Sequence, residues 1–167
     1  MRPAIVRLGW CLIGALVLCI GACRTTGPDT PQTATEIYLD AGRYRDAARE
    51  AEQDIRVKPD DVALRKLAAR AHAGAGNPER AIEHLEIAFD LAPADAETSV
   101  LLGEIEQKRG NLPDAYVAFR RAAQLDPDDI RAWSGLALSA EALGFEEEAA
   151  DAYARWARLE QELGLSP

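Results

Sequence analysis

A strict internal repeat constrains the fold of this chain more than any other feature of its sequence. Four sets of identical residues recur with residue numbers that increase by 34, and their agreement excludes coincidence. The sets are Gly42, Gly76, Gly110 and Gly144; Ala47, Ala81, Ala115 and Ala149; Pro59, Pro93 and Pro127; and Asp61, Asp95 and Asp129. A fixed period of this length is typical of a supersecondary unit that stacks on copies of itself, because one unit alone cannot bury its apolar face.

The residues at these positions indicate a unit that consists of a helix, a turn and a second helix. Each glycine is expected to end a helix, since the left-handed cap at a helix C-terminus favours glycine. Each alanine begins an apolar stripe at helical spacing, such as the one from Ala115 through Phe119 to Ala122. Each proline then ends the second helix, and the aspartate that follows caps the next one.

The third unit makes a family resemblance visible. Its block "GNLPDAYVAFRRAAQLDPDD", residues 110–129, resembles the second helix of a tetratricopeptide repeat. In the last unit, Trp133, Leu136 and Ala137 resemble the first-helix signature of the same family. The resemblance implies an all-α fold, a right-handed superhelical solenoid of about four helix–turn–helix repeats. The implied units are residues 28–61, 62–95, 96–129 and 130–163.

Departures from the family pattern carry information of their own. The opening half of the first unit falls in a linker, so its first helix should be short, near residues 35–41. Arg65 and Ser99 occupy the position at which the fourth unit has the aromatic Trp133, and Gln161 stands where a final proline would be. Terminal repeats are expected to be atypical because they cap the stack.

Residues 1–22 have the layout of a secretory signal. A basic stretch, "MRPAIVR", precedes an uncharged run, "LGWCLIGALVLCIGA". That run is shorter than the roughly 20 residues that a membrane-spanning helix needs. An uncleaved N-terminal membrane anchor is the alternative. The segment ends "IGAC", which resembles the lipobox of bacterial lipoproteins and implies lipid attachment at Cys23, while Cys11 and Cys19 leave with the signal.

These features predict three regions: a signal peptide over 1–22, a lipidated N-terminus and flexible linker over 23–34, and the repeat array over 35–163. The linker is rich in Thr, Pro and Gly, and it lacks the apolar residues needed to order itself. The lipoprotein resemblance implies the bacterial cell envelope. Arg24 stands where an aspartate often signals retention at the inner membrane, so the outer membrane facing the periplasm is favoured.

Charge and residue types exclude several classes of function. The net charge is −9, and an acidic surface repels the phosphate backbone of nucleic acids. The two histidines, His72 and His84, lie on different predicted helices and match no known metal-ligand spacing. His72 is interpreted as a helix-packing residue. The sequence contains no triad arrangement or phosphate-binding glycine loop, so we expect no catalytic site, metal or cofactor.

In the family, ligands usually lie along a concave groove that the first helices line. Carrying those positions over predicts a mixed surface, basic at one end and more acidic towards the other, for an extended peptide or a partner helix. The alternative is that these are ordinary solvated charges. The paired Asn and Lys/Arg of the two-carboxylate clamp are missing, which disfavours that ligand class. The predicted groove residues are Lys66, Arg70, Glu97, Val100, Leu101, Glu104, Lys108, Arg131, Ser134, Leu138 and Glu141.

The last predicted helix has an apolar face that includes Tyr153, Trp156 and Leu159. An exposed face of this kind would favour a homodimer or partner docking. The alternative is that the first helix of the same unit covers it.

Together these features predict a membrane-anchored, non-catalytic scaffold that binds protein partners in the cell envelope. By resemblance to small exported lipoproteins of this build, we expect it to assist the assembly of a pilus or secretion complex. The alternative is an adaptor that recruits peptidoglycan enzymes or outer-membrane assembly factors.

Overall fold

The computed structural model describes residues 33–164, and within that range the chain forms eight helices and no strand. The all-α fold class predicted from the repeat is confirmed. The helices are α1 (Ala34–Asp40), α2 (Tyr44–Val57), α3 (Val62–Gly74), α4 (Pro78–Leu91), α5 (Ala96–Arg109), α6 (Leu112–Leu125), α7 (Ile130–Ala142) and α8 (Glu146–Glu162). Consecutive helices pair into four units, numbered first to fourth below.

Helix ends follow the chemistry of the repeated residues. The four periodic glycines all have positive φ, from 68° to 82°, which is the left-handed conformation that ends a helix. Asp61, Asp95 and Asp129 cap α3, α5 and α7, and each side chain accepts a hydrogen bond from a backbone N–H of the first turn. The first helix of the first unit is short, as predicted, and Thr33 and Glu36 form a capping box at its start.

Alanines allow the paired helices to approach closely. Ala47, Ala81 and Ala115 are fully buried at the same position of α2, α4 and α6, and Ala149 is nearly so in α8. Because the alanine side chain ends at Cβ, the backbone of the facing helix can lie directly against it. The alanine that recurs in each unit therefore marks the point at which its two helices pack most closely.

Larger side chains join one unit to the next. Where the third unit meets the fourth, Phe119 of α6 lies between two glycines, Gly103 of α5 and Gly135 of α7. A Cβ added at either glycine would lie 2.8 Å or 2.4 Å from the Phe119 ring. We call this the filled junction. Where the second unit meets the third, Leu85 of α4 packs with Ala69 and Leu101 beside a cavity, and we call this the open junction.

None of the helices in residues 33–164 is long and apolar enough to cross a membrane. The predicted signal peptide, the lipid attachment at Cys23 and nearly all of the linker lie outside the described residues.

Candidate protein-binding surfaces

Four of the predicted groove residues meet around one hollow of about 270 Å³ on the side of the first helices. Two cations and one carboxylate surround an apolar base. Its lining includes Arg70, Leu101, Glu104 and Lys108, together with Leu39 and Tyr44 of the first unit. Residues 33–164 offer Arg70 and Lys108 no ion pair, so both cations are available to a ligand.

Tyr44 shapes the edge of this hollow because it packs on a glycine. A Cβ added at Gly74 would lie 2.3 Å from Cδ1 of Tyr44, so the ring occupies the space a side chain would fill. The ring remains 41% exposed and presents an aromatic surface beside Arg70. Tyr44 is not among the predicted groove residues, because it belongs to a second helix and lies outside the first-helix positions carried over from the family.

Lys66 forms ion pairs within the solenoid, so its ammonium group is not free to bind a ligand in the groove. Its Nζ lies 2.5 Å from Oε2 of Glu97 and 3.0 Å from Oδ2 of Asp95, which ties the second unit to the third. Burial alone would lower the pKa of Lys66, but the hydrogen bonds to Glu97 and Asp95 outweigh it and raise that pKa. A groove ligand would have to compete with these two carboxylates for the ammonium.

Most polar side chains at the far end of the predicted groove also form hydrogen bonds or ion pairs within the chain. Arg131 bonds to Oδ2 of Asp129 at 3.0 Å, and the Ser134 hydroxyl donates to the Arg131 carbonyl. Glu141 accepts a 2.6 Å hydrogen bond from the Tyr153 hydroxyl of α8. Leu138 remains 45% exposed and is an accessible apolar residue at this end.

Two predicted groove residues need correction. Val100 is completely buried in the core of the filled junction, so it cannot contact a groove ligand. Leu101 is only 5% exposed and packs with Leu85, so it forms the floor of the hollow rather than a contact that projects into it. The register of the family locates a helix face, but the depth at which each side chain lies depends on the neighbouring unit.

The structure brings together two histidines that the sequence treated as separate. Oε1 of Glu52 in α2 lies 3.1 Å from Nε2 of His72 in α3 and 3.1 Å from Nε2 of His84 in α4. The two rings stack with centroids 5.4 Å apart. Glu52 could not be predicted from the sequence, because no spacing in the chain shows which carboxylate of the preceding unit reaches the histidine pair.

These three residues hold ligand-type atoms within 4.8 Å of one another, so a divalent cation has to be considered. The surroundings disfavour it. Nη2 of Arg80 lies 3.8 Å from the same Glu52 oxygen, and Nη1 of Arg65 lies 3.4 Å from Nδ1 of His84. A metal-bound histidine usually donates its second N–H to an acceptor, and a guanidinium cannot accept. The predicted absence of a metal remains a prediction.

The cluster is better explained as a hydrogen-bonded link between the first two units. Burial lowers the pKa of His84, and it outweighs the hydrogen bond and the charge of Glu52, which would raise that pKa. Burial would raise the pKa of Glu52, but the hydrogen bonds from His72 and His84 outweigh it and lower that pKa. The native arrangement therefore favours a neutral His84 beside an ionised carboxylate.

The apolar face of the last helix is partly buried. Leu159 is 3% exposed, and the half-buried Tyr153 and Trp156 rings stack with centroids 5.9 Å apart. Leu163 is 59% exposed near the end of the described residues. The homodimer through this helix remains a prediction, and the mass of a Trp156→Glu variant in solution tests it.

Comparisons with known proteins agree with this architecture. Two family models, both described as tetratricopeptide repeat, match residues 36–96 and 72–140. A solved structure titled "Crystal structure of MamA" is similar, with 20% identity, a TM-score of 0.73, and coverage of 79% of this chain and 77% of that chain. MamA from residue 41 to its end, from Desulfovibrio magneticus RS-1, matches at 21% identity and a TM-score of 0.69, over 77% of this chain and 72% of that one.

At this level of identity the solved structures bear on the fold alone. The two repeat models supply the family of the units, and together they extend from the first unit into the fourth. Residues 33–164 therefore form an all-α solenoid of tetratricopeptide repeats.

Proposed function

We propose that this chain is a non-catalytic scaffold that is anchored to the bacterial envelope by lipid at Cys23 and binds a protein partner through its first helices. The hollow around Arg70, Glu104 and Lys108 carries the proposal. It combines an apolar base with two cations that residues 33–164 leave unpaired. Tetratricopeptide repeats generally bind protein partners, and an extended peptide or a helix fits a groove built this way.

The finer proposal is that the partner belongs to a pilus or secretion complex in the outer membrane and periplasm. It rests on the resemblance of residues 20–23 to a lipobox and on the small size of the repeat array that follows. A lipid-anchored array is held at the membrane surface, where such complexes assemble.

A photo-crosslinking amino acid tests the partner proposal. It replaces Arg70 in the full chain within intact cells, and adducts formed on irradiation are identified by mass spectrometry. We expect an adduct with a pilus or secretion-complex subunit. The matched control places the same amino acid at Asp151, an exposed position of α8, and should give no such adduct.

The outcomes separate the alternatives. An adduct with a peptidoglycan enzyme or an outer-membrane assembly factor would overturn the pilus proposal in favour of the adaptor. Equal capture from both positions, or none from position 70, would contradict binding at this hollow.

The anchor needs its own test. Cys23→Ser should abolish incorporation of labelled palmitate and release the protein from the membrane fraction, because no other cysteine follows residue 23. Cys19→Ser is the control and should leave labelling unchanged. Labelling that persists in Cys23→Ser would contradict lipid attachment at that residue.

A further inference from the structure

A cavity of about 550 Å³ lies at the open junction, on the side of the second helices. α4 and α6 form its walls, and α5 forms its floor. The lining is mainly apolar, with Ile82, Leu85 and Phe89 from α4, Leu102 from α5 and Val117 from α6. Val117 is 54% exposed although it borders an apolar cleft, which leaves it without the cover that such a side chain normally finds.

The register of the repeat places a small side chain at this cleft, where the fourth unit has an aromatic one. Arg65, Ser99 and Trp133 occupy the same position in α3, α5 and α7. In the fourth unit the Trp133 indole packs against the core of the filled junction. In the third unit Ser99 lines the cleft and is 3% exposed, so a hydroxymethyl group stands where the register places an indole.

Without the indole, the proline carbonyl at the open junction still has a hydrogen-bond donor, but the volume of the indole is not filled. Nε1 of Trp133 donates to the Pro127 carbonyl at 2.8 Å. At the open junction the equivalent Pro93 carbonyl accepts a 2.8 Å hydrogen bond from Arg121 of α6, whose guanidinium also lies 3.9 Å from the Phe89 ring centroid. The backbone polar group is therefore satisfied, and the apolar space remains open.

Carboxylates surround this cleft. Glu106 bonds to Arg109, and Asp114 accepts from Asn111. Glu86 and Asp90, one turn apart on α4, are exposed and have no ion pair or hydrogen bond within residues 33–164. Among the described lining residues Arg121 is the single cation, and it is already engaged with Pro93 and Phe89. The cleft is thus apolar at its centre and carries a net negative charge at its rim.

We propose that this cleft binds an aromatic side chain from a protein segment that carries Lys or Arg on either side of it. The aromatic ring would take the space that Ser99 leaves, and the flanking cations would meet Glu86 and Asp90. The inference rests on the proposed scaffold function and adds a second surface, separate from the hollow around Arg70. An amphipathic helix laid between α4 and α6 is the geometry that such a groove accepts.

The test uses the full chain in detergent and a defined probe. The probe is a fluorescein-labelled peptide of about 15 residues, long enough to form a helix, with one central tryptophan flanked on each side by lysines on the same helix face. Fluorescence anisotropy measures its binding. We expect the same peptide with Trp→Ala to bind at least tenfold more weakly, because a buried aromatic anchor dominates interfaces of this kind.

Variants of the floor test whether the space itself matters. Ser99→Trp should fill the cleft from within and weaken peptide binding at least tenfold. Ser99→Ala leaves the cleft open and should change binding less than twofold. Circular dichroism verifies that both variants keep their helices, and undiminished binding to folded Ser99→Trp would overturn the proposal.

A charge reversal tests the rim independently of the floor, and it applies if Ser99→Trp fails to fold. Glu86→Lys with Asp90→Lys should weaken binding at least fivefold, with the loss diminishing as salt is raised. Glu147→Lys with Asp151→Lys makes the same change on exposed residues of α8, also one turn apart, and should change binding less than twofold. Equal effects of the two pairs would overturn the assignment to this rim.

The result is separable from the proposed function. If the peptide does not bind the wild type while the crosslinker at position 70 still captures a partner, the cleft proposal fails and the scaffold stands. If Lys108→Glu changes the affinity for the peptide, in either direction, as strongly as Ser99→Trp does, the peptide occupies the hollow on the first helices and the cleft proposal fails.

Discussion

The open junction and the filled junction use the same three repeat positions with side chains of opposite size. Leu85 with Ala69 and Leu101 stands at the open junction, and one repeat later Phe119 stands with Gly103 and Gly135 at the filled one. A larger side chain on the second helix is matched by smaller ones on the two first helices it contacts. The repeat therefore constrains the total volume at a junction rather than the identity of each residue.

No such compensation of side-chain volume occurs at the repeat position of Trp133. Arg65, Ser99 and Trp133 differ greatly in volume, and the filled junction has the indole while the open one has a cleft. What the units preserve is a donor for the proline carbonyl: Arg65 bonds to Pro59, Arg121 to Pro93, and Trp133 to Pro127. A hydrogen bond to the proline carbonyl is therefore kept in each of these units, while the apolar volume beside it varies and leaves room for a ligand.

Loss of the Phe119 ring at the filled junction should be the most destabilising of these changes. Phe119→Ala should lower the free energy of unfolding by about 3–5 kcal/mol, because a rigid cavity between two glycines cannot collapse. Leu85→Ala at the open junction should cost less, nearer about 2 kcal/mol, because the adjacent cleft lets neighbours relax. Urea denaturation followed by circular dichroism measures both values. Equal losses, or a larger loss for Leu85→Ala, would contradict the distinction between the junctions.

Adding a methyl group at either glycine tests the close contact of the two glycines with the Phe119 ring. Gly135→Ala should cost about 1–3 kcal/mol, because the new methyl group would meet the Phe119 ring. Gly103→Ala, whose Cβ lies farther from the ring, should cost less. Phe119→Leu added to Gly135→Ala should recover part of the loss in a double-mutant cycle. Strict additivity of the two changes would show that the contact is not the cause.

The proline carbonyls offer a third comparison. Pro127 accepts from both Trp133 and Arg155, whereas Arg121 is the donor to Pro93. Arg121→Ala should therefore cost about 1 kcal/mol, and Arg155→Ala should cost less because Trp133 remains bonded. Thermal unfolding of both variants measures the difference. An Arg155→Ala variant that is the less stable of the two would argue against this explanation.

A pH dependence of stability should be confined to the first half of the array and should be weaker than the effects of these substitutions. The pKa of His84 is lower in the folded chain than its ordinary value of 6.5, so the unfolded chain binds more protons as the pH falls through that value. The stability that depends on neutral His84 is fully present above 6.5 and is lost as the pH falls below it. Acidification to about pH 5.5 should therefore weaken the link between the first two units.

Hydrogen exchange at pH 7.5 and at about pH 5.5 checks this, after correction for the intrinsic exchange rate. Amides of α2 to α4 should lose protection at the lower pH, while those of α6 to α8 serve as the internal control. His84→Asn should remove most of the difference. The same loss of protection throughout the array would assign the effect to net charge instead.

The sequence predicted the helices well because their ends depend on single residues. Glycine at a left-handed cap, proline after a helix and aspartate at an N-cap act locally, and each recurs from one unit to the next. The sequence also marked Ser99 and Arg65 as departures from the pattern. It could not show that Arg121 bonds to the Pro93 carbonyl, because that contact joins two different units.

The candidate sites were predicted less well for the same reason. Register placed Arg70, Glu104 and Lys108 around one hollow, but it also placed the fully buried Val100 among them. The contact of Glu52 with both histidines depends on how the first two units stack, which the period does not encode. Local signals specify the repeat, and contacts between units decide which of its side chains remain accessible.

Native-state hydrogen exchange of the wild-type chain compares the two junctions without a mutation, since it measures the opening free energy of each helix. If the two junctions differ as described, amides of α6 and α7 at the filled junction should exchange most slowly, and those of α4 at the open junction should open at lower free energy. Equal protection of α4 and α6, or greater protection of α4, would show that the filled junction is not the more stable of the two.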